Sequence, residues 1–279
     1  MLRDNAILTT SWDDGHPSDF RVADLLAKYG LRGTFYVPRT AETATMSPAH
    51  VRDLSDNFEI GGHTVNHVVL TEATDDRAGR EIAESKPWLE DITGRPCPMF
   101  CPPKGKYYHR HLGMIRAAGF SGVRTVELLS LDFPRPTDGL MLMPTTVQAH
   151  PHGVGAYARN LVRRAAVRNL WLAMLHGRTT DWLTLTRRLL TRAIRRGGVF
   201  HLWGHSWELD ASDQWGRLED AFRLMSEFAL HAAARTNGEV LGWVEGAERE
   251  RPTDLRIGEP RSLRSFDPSY KAATGGPTR

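Results

Sequence analysis

Apolar residues fall along the chain in short solid runs, separated by stretches in which they recur every three or four positions. The solid runs read as buried strands and the periodic stretches as amphipathic helices laid over them. Ala6 to Trp12 is the first strand, followed by a helix from about Asp19 to Tyr29 that stops at Gly30. Gly33 to Pro38 (GTFYVP) is the second strand, and Ser47-Pro48 opens a helix through Leu54, with proline early in the helix. Phe58 to Gly61 is the third strand, Ala78 to Ile92 a helix ended by Gly94, and Pro98 to Pro102 a short fourth strand. His111 to Ala118 is a helix closed by Gly119, and Gly122 to Val126 the fifth strand. Two long helices are expected over roughly Gly155 to Met174 and Thr180 to Arg196. Gly197-Gly198 breaks the chain before the strand Val199 to Trp203. A last long helix covers about Gln214 to Ala234, and Glu239 to Val244 is expected to pair at the end.

Strands that alternate with helices imply parallel pairing through right-handed crossovers. Six or seven such units predict an α/β fold, a (β/α) barrel of about seven parallel strands more than an open sheet. A glycine-rich phosphate fingerprint of the dinucleotide folds is absent. The chain has 279 residues, 41% apolar and 25% charged, enough for one large core over residues 1–248. Residues 249–279, rich in Pro, Gly, Ser and Arg without periodicity, read as an irregular tail. Cys97 and Cys101 are too few and too close for a disulfide framework. No apolar run is long enough to span a membrane and no leader is visible, so a cytoplasmic protein is expected.

Charge is uneven. Ten arginines and one acid, Asp181, lie between Arg159 and Arg196, so the remainder of a chain of net charge +3 is acidic. A solvated helical face is the plain reading. The sharper one is a surface for phosphate, on a nucleotide- or lipid-linked sugar or at a membrane periphery. Nucleic acid is not expected, because aromatics are not interleaved with the arginines in a recognised motif.

Four clusters carry chemistry, three of them at the ends of predicted strands, where α/β barrels place their active sites. Asp13-Asp14-Gly15 sets two carboxylates side by side, tolerable if a cation takes one of them, though such a triplet is most often a turn. His63-Thr-Val-Asn-His67 follows Gly61-Gly62; at this spacing two imidazoles share an ion only if the chain turns tightly. With one early aspartate they make a three-ligand set that leaves a position for water. Pro102-Pro103-Lys104-Gly105 is a stiff loop suited to presenting a backbone N–H to a reacting oxygen, or else a rigid connector. Gly204-His205-Ser206-Trp207-Glu208 places a histidine at a strand end, as a proton donor or as a packed ring between tryptophans.

Taken in order, these segments resemble the polysaccharide deacetylase family, the NodB-homology enzymes of carbohydrate esterase family 4, from about Ala6 to about Val244. The resemblance implies Asp13 as general base, Asp14, His63 and His67 as ligands of one divalent metal, and His205 as general acid. Zinc is the first candidate metal, with cobalt, nickel or manganese as alternatives. The loop Pro103-Lys104-Gly105 would hold the oxyanion, and His16, Trp207 and Glu208 are candidates for the substrate groove, with His16 also the first substitute ligand. The implied reaction removes an N-acetyl group from an amino sugar carried on an intracellular glycoconjugate, a nucleotide or lipid carrier, or a glycosylated metabolite. The alternatives are a disabled scaffold that binds glycan or phosphate, and a hydrolase of a non-sugar amide. The sequence leaves the oligomeric state open.

Two departures from the family pattern stand out. Cys101 occupies the place of the arginine that normally holds the base, and Lys104 that of an aromatic residue. A thiol cannot supply the missing cation, so Arg124 at the end of the fifth strand is expected to reach Asp13, with Lys104 and Lys106 behind it; pairing of Arg124 with Glu127 at the surface is the opposing expectation. The segment that supports the acid histidine in the family has no clean counterpart, although Glu127 and Asp132 fall in its region.

Overall fold

In the computed structural model, residues 6–151 and 181–249 are described. The helix expected over Gly155 to Met174, the arginines from Arg159 to Arg178 and the tail beyond residue 249 lie outside the described residues. Strand β1 (Ala6–Asp13) is buried at every position, as its unbroken apolar and small-polar sequence requires for a central strand. It pairs in parallel with β9 (Gly198–Gly204) from Ala6↔Gly198 to Trp12↔Gly204. Its other edge is shared. The first half takes β10 (Ala233–Ala234), and the second half takes β2 (Thr34–Val37). Beyond β2 the sheet continues through β3 (Glu59–Gly62), β4 (Met99–Phe100) and β5 (Gly122–Arg124), all parallel.

The sheet ends in β7 (Leu140–Met143), parallel to β5, and β6 (Arg135–Thr137), antiparallel to β7, while β8 (Val147–Gln148) lies parallel to β9 on the far side. The described sheet thus has ten strands in a curled half-barrel, where about seven parallel strands were expected. The runs β6 to β8 escape the pattern because each has two to four residues and prolines interrupt them.

Helices α1 (Asp19–Lys28), α2 (Pro48–Ser55) and α5 (His109–Ala117) match their predicted positions closely. The expected helix over Ala78 to Ile92 is two helices, α3 (Asp75–Ala83) and α4 (Ser85–Thr93). Pro87 is the cause: it has no N–H for the Ala83 carbonyl, and its ring excludes a continuous turn there. Helix α6 (Trp182–Arg196) buries Trp182, Leu185, Leu189, Leu190 and Ala193 and exposes Arg187, Arg188, Arg195 and Arg196. After β9 come α7 (Ser206–Ser212) and α8 (Trp215–Ala229), which ends five residues before the predicted Ala234, so that the chain can add β10. Glu239 to Val244 does not form a strand. It lies in α9 (Asn237–Arg249), opened by a reciprocal pair of bonds: the Glu239 N–H to Thr236 Oγ1 and the Thr236 N–H to Glu239 Oε2.

Aromatic side chains fill the space between sheet and helices, with Trp12, Phe35, Phe100, Phe200, Phe222 and Trp182 all buried and Trp12 edge-on to Phe222. No described helix is long and apolar enough to cross a membrane. Because β1, β3, β4, β5 and β9 are parallel, Asp13, His63, Cys101, Arg124 and His205 all emerge at one end of the sheet.

Candidate active site

At the end of β1 the chain leaves the sheet sharply, with Asp14 (φ 77°) and Gly15 (φ 59°) both left-handed. That reversal sends Asp13 inward and carries Asp14 toward the end of β3. After Gly62 the segment 63–67 forms the tight turn that the spacing required, with Thr64 and His67 at positive φ, and the two imidazole centroids lie 5.1 Å apart. Asp14 Oδ1 is 3.1 Å from His67 Nε2 and 3.4 Å from His63 Nε2. His63 Nδ1 lies 2.6 Å from the Cys101 carbonyl, a bond that places a proton on Nδ1 and turns Nε2 toward the carboxylate. Trp207 Nε1 donates to Asp14 Oδ2 at 2.9 Å. Burial alone would raise the Asp14 pKa, but the two histidines outweigh it and hold the carboxyl far below the usual carboxylate range.

These three groups fit a divalent cation. Asp14 Oδ1 is buried without a hydrogen-bond partner while two imidazole nitrogens converge on it, an arrangement a cation satisfies. A second set, Asp13, His63 and Cys101, is also close enough to hold an ion. It is the poorer one: burial pushes the Cys101 thiol well up, away from the thiolate a metal needs, and Asp13 is engaged elsewhere.

Asp13 Oδ1 accepts from Arg124 Nη2, in a pair whose side chains are 4% and 0% exposed. The Arg124 guanidinium lies between the rings of Tyr36 and Trp203, 5.2 and 4.7 Å from their centroids. Burial would lower its pKa, but Asp13 more than compensates and keeps it charged. Cys101 Sγ is 3.9 Å from Asp13 Oδ2, so the small residue in the family arginine's place leaves room for the guanidinium arriving from β5. Glu127 pairs with Arg135, and Lys104 and Lys106 with Glu42 and Glu72, so none of the three competes for these partners.

His205 Nε2 stands 3.9 Å from Asp13 Oδ2, the carboxylate oxygen that Arg124 does not engage. Its Nδ1 is 2.7 Å from Glu208 Oε2. Glu208 was expected in the groove; instead it backs the histidine from the next turn of α7, where residues three apart face the same way, and Gln148 Nε2 donates to the same oxygen at 3.2 Å. Burial alone would lower the His205 pKa, but the bond to Glu208, then Asp13 and Asp14, raise it to about 9. His205 is therefore protonated at neutral pH. We expect turnover to fall at alkaline pH as His205 loses its proton, and Glu208→Gln to move that alkaline limb downward; kcat/KM measured against pH checks both. His201, the substitute acid, is fully buried between Ser11 and the Pro144 carbonyl, and burial holds it neutral with a pKa of about 3, so it cannot replace His205.

The remaining candidates divide. Trp207, Lys104 and Gly105 line the pocket over Asp13 and Asp14, together with Ala41, Glu42, Thr43, His67, Trp203 and His205. His16 does not line it; Pro17 follows it, and its Nδ1 instead accepts from the Ser18 N–H at the start of α1. Pro103 opens a single helical turn, Pro103–Gly105, in which Lys104 is left-handed (φ 54°). Gly105 is required there: it has φ 62°, and a Cβ would meet Val126 at 2.2 Å. Asp132, suggested as support for the acid, lies in a turn in which its N–H donates to Ser130 Oγ.

Residues 3–123 match the family described as polysaccharide deacetylase. A curated relative, the peptidoglycan-N-acetylglucosamine deacetylase of Bacillus cereus, is 28% identical over 120 residues, 42% of this chain and 55% of the relative, so the match spans about half of that protein's length. Among solved structures, a Mycobacterium smegmatis protein whose own assignment to the polysaccharide deacetylases is provisional superposes with a TM-score of 0.63 at 15% identity, covering 92% of this chain and 95% of the other. The peptidoglycan deacetylase PdaC of Bacillus subtilis gives 0.52 at 13% identity, covering 88% and 94%. Residues 3–123 thus resemble the polysaccharide deacetylase family, and over most of its length the chain has the curled (β/α) barrel fold of the solved structures it superposes on.

Proposed function

We propose that the protein is a metal-dependent hydrolase that removes the acetyl group from an N-acetylated amino sugar. The observation that carries this reading is the convergence at one end of the sheet of a three-ligand cation site, an arginine-held aspartate and a carboxylate-backed histidine. Asp14, His63 and His67 would hold the ion; a divalent metal there supplies Lewis acidity and makes water a better nucleophile near neutral pH. Asp13, with Oδ1 engaged by Arg124, would take a proton from the attacking water on Oδ2, whose one hydrogen-bond donor among the described residues is the weak Cys101 Sγ at 3.9 Å. His205 gives its proton to the nitrogen as the C–N bond breaks, so acetate and a free amine leave. The backbone N–H of Lys104, in the turn Pro103–Gly105, would donate to the developing oxyanion. A scaffold disabled for catalysis would have no need of a buried Arg124–Asp13 pair beside His205–Glu208, and this disfavours a pure binding module.

The substrate class is an N-acetylated sugar, in a polymer or on a smaller phosphate-bearing glycoconjugate. The described arginines of α6 do not line the pocket, so any phosphate or membrane surface they meet would lie outside the site of the reacting sugar. Acetate release from a panel of N-acetyl sugars by metal-loaded protein tests the reading. His63→Ala and His67→Ala are each expected to lower bound metal from one equivalent to a small fraction, read by elemental analysis of the purified protein; full metal content in both would remove the ligand assignment.

A further inference from the structure

The pocket mouth holds donors with unused capacity. Thr43 Oγ1 and Trp203 Nε1 are buried without hydrogen-bond partners among the described residues, and both residues line the pocket. Lys104 is the one lysine or arginine among the described lining residues. Its Nζ lies 3.4 Å from Glu42 Oε1, with the side chains 48% and 76% exposed. An ion pair so open to water holds weakly and exchanges readily for another anion. Deeper in, Arg124 is committed to Asp13 and His205 to Glu208, which leaves Lys104 as the lining cation available to a substituent of the substrate.

We infer that the substrate sugar carries an oxyanion substituent, a carboxylate or a phosphate ester, which displaces Glu42 from Lys104 and takes a further hydrogen bond from Thr43. This rests on the deacetylase reading and deepens it. Glu42 then acts as a stand-in anion that keeps the mouth neutral when no substrate is bound, and a neutral sugar gains nothing by replacing it. A charge-assisted hydrogen bond of this kind discriminates by roughly tenfold or more.

The test compares kcat/KM for acetate release from three probes: a neutral N-acetylglucosamine oligosaccharide, one containing N-acetylmuramic acid, and N-acetylglucosamine 6-phosphate. The wild-type protein is expected to favour at least one anionic probe over the neutral one by about tenfold, less at high ionic strength, and the better of the two identifies the substituent. Lys104→Met should bring that ratio toward one, mainly through KM; Lys104→Arg should keep it; Glu42→Gln should raise it by about threefold. Turnover with a ratio near one in the wild type, or a ratio that Lys104→Met and Glu42→Gln both leave unchanged, overturns this inference alone. Acetate from none of the probes overturns the deacetylase reading and this inference with it.

Discussion

Replacing Arg124 with methionine should abolish most turnover and cost about 3–5 kcal/mol of stability while leaving the metal in place. The stability loss follows from burial. Asp13 and Arg124 are both shut away from water, and removing one partner strands the other's charge. The activity loss follows from position. Without the guanidinium, Asp13 loses its close ion-pair partner and keeps only 3.9 Å contacts with the Cys101 thiol and His205, so its carboxylate can swing toward the cation as an extra ligand, where it no longer acts as a base. A drop in kcat of about 10²–10⁴, with unchanged metal content and a lower unfolding midpoint, is the expected combination. Undiminished turnover would show that the pair is structural only.

Asp13→Asn should have a comparable effect on activity with a different signature. The amide keeps the shape and a hydrogen bond to Arg124 but cannot take a proton, so kcat is expected to fall by about 10²–10⁴ with metal still bound. Metal analysis beside single-turnover acetate release checks it. Loss of the metal in this variant would mean that the roles of Asp13 and Asp14 are exchanged.

Much of this site was legible in the sequence because its chemistry is written in contiguous words. Asp13-Asp14 and His63 to His67 each lie within five residues at strand ends, and a parallel barrel brings strand ends together whatever the loops between them do. Arg124 was one of three candidates, beside Lys104 and Lys106, once the resemblance put Cys101, which cannot carry a positive charge, in the place of an arginine. Glu208 was within reach as well: three residues after His205, it faces the histidine only if the chain turns helical at once, which α7 does. What the pattern hid has local causes. Strands β6 to β8 are too short for alternation to register, and Pro87 divides a helix whose apolar period runs on regardless. The apolar residues near Val244 suit a strand or a helix, and only the Thr236-Asn-Gly-Glu239 capping pattern decides for α9.

The central claim is that Asp14, His63 and His67 hold a divalent cation on which N-acetyl hydrolysis depends. The most direct measurement is acetate release from an N-acetyl sugar by chelator-treated protein, before and after titration with zinc. The account predicts no release from the stripped protein and recovery that saturates at one equivalent of metal per chain. Release that continues after the metal has been removed would contradict it.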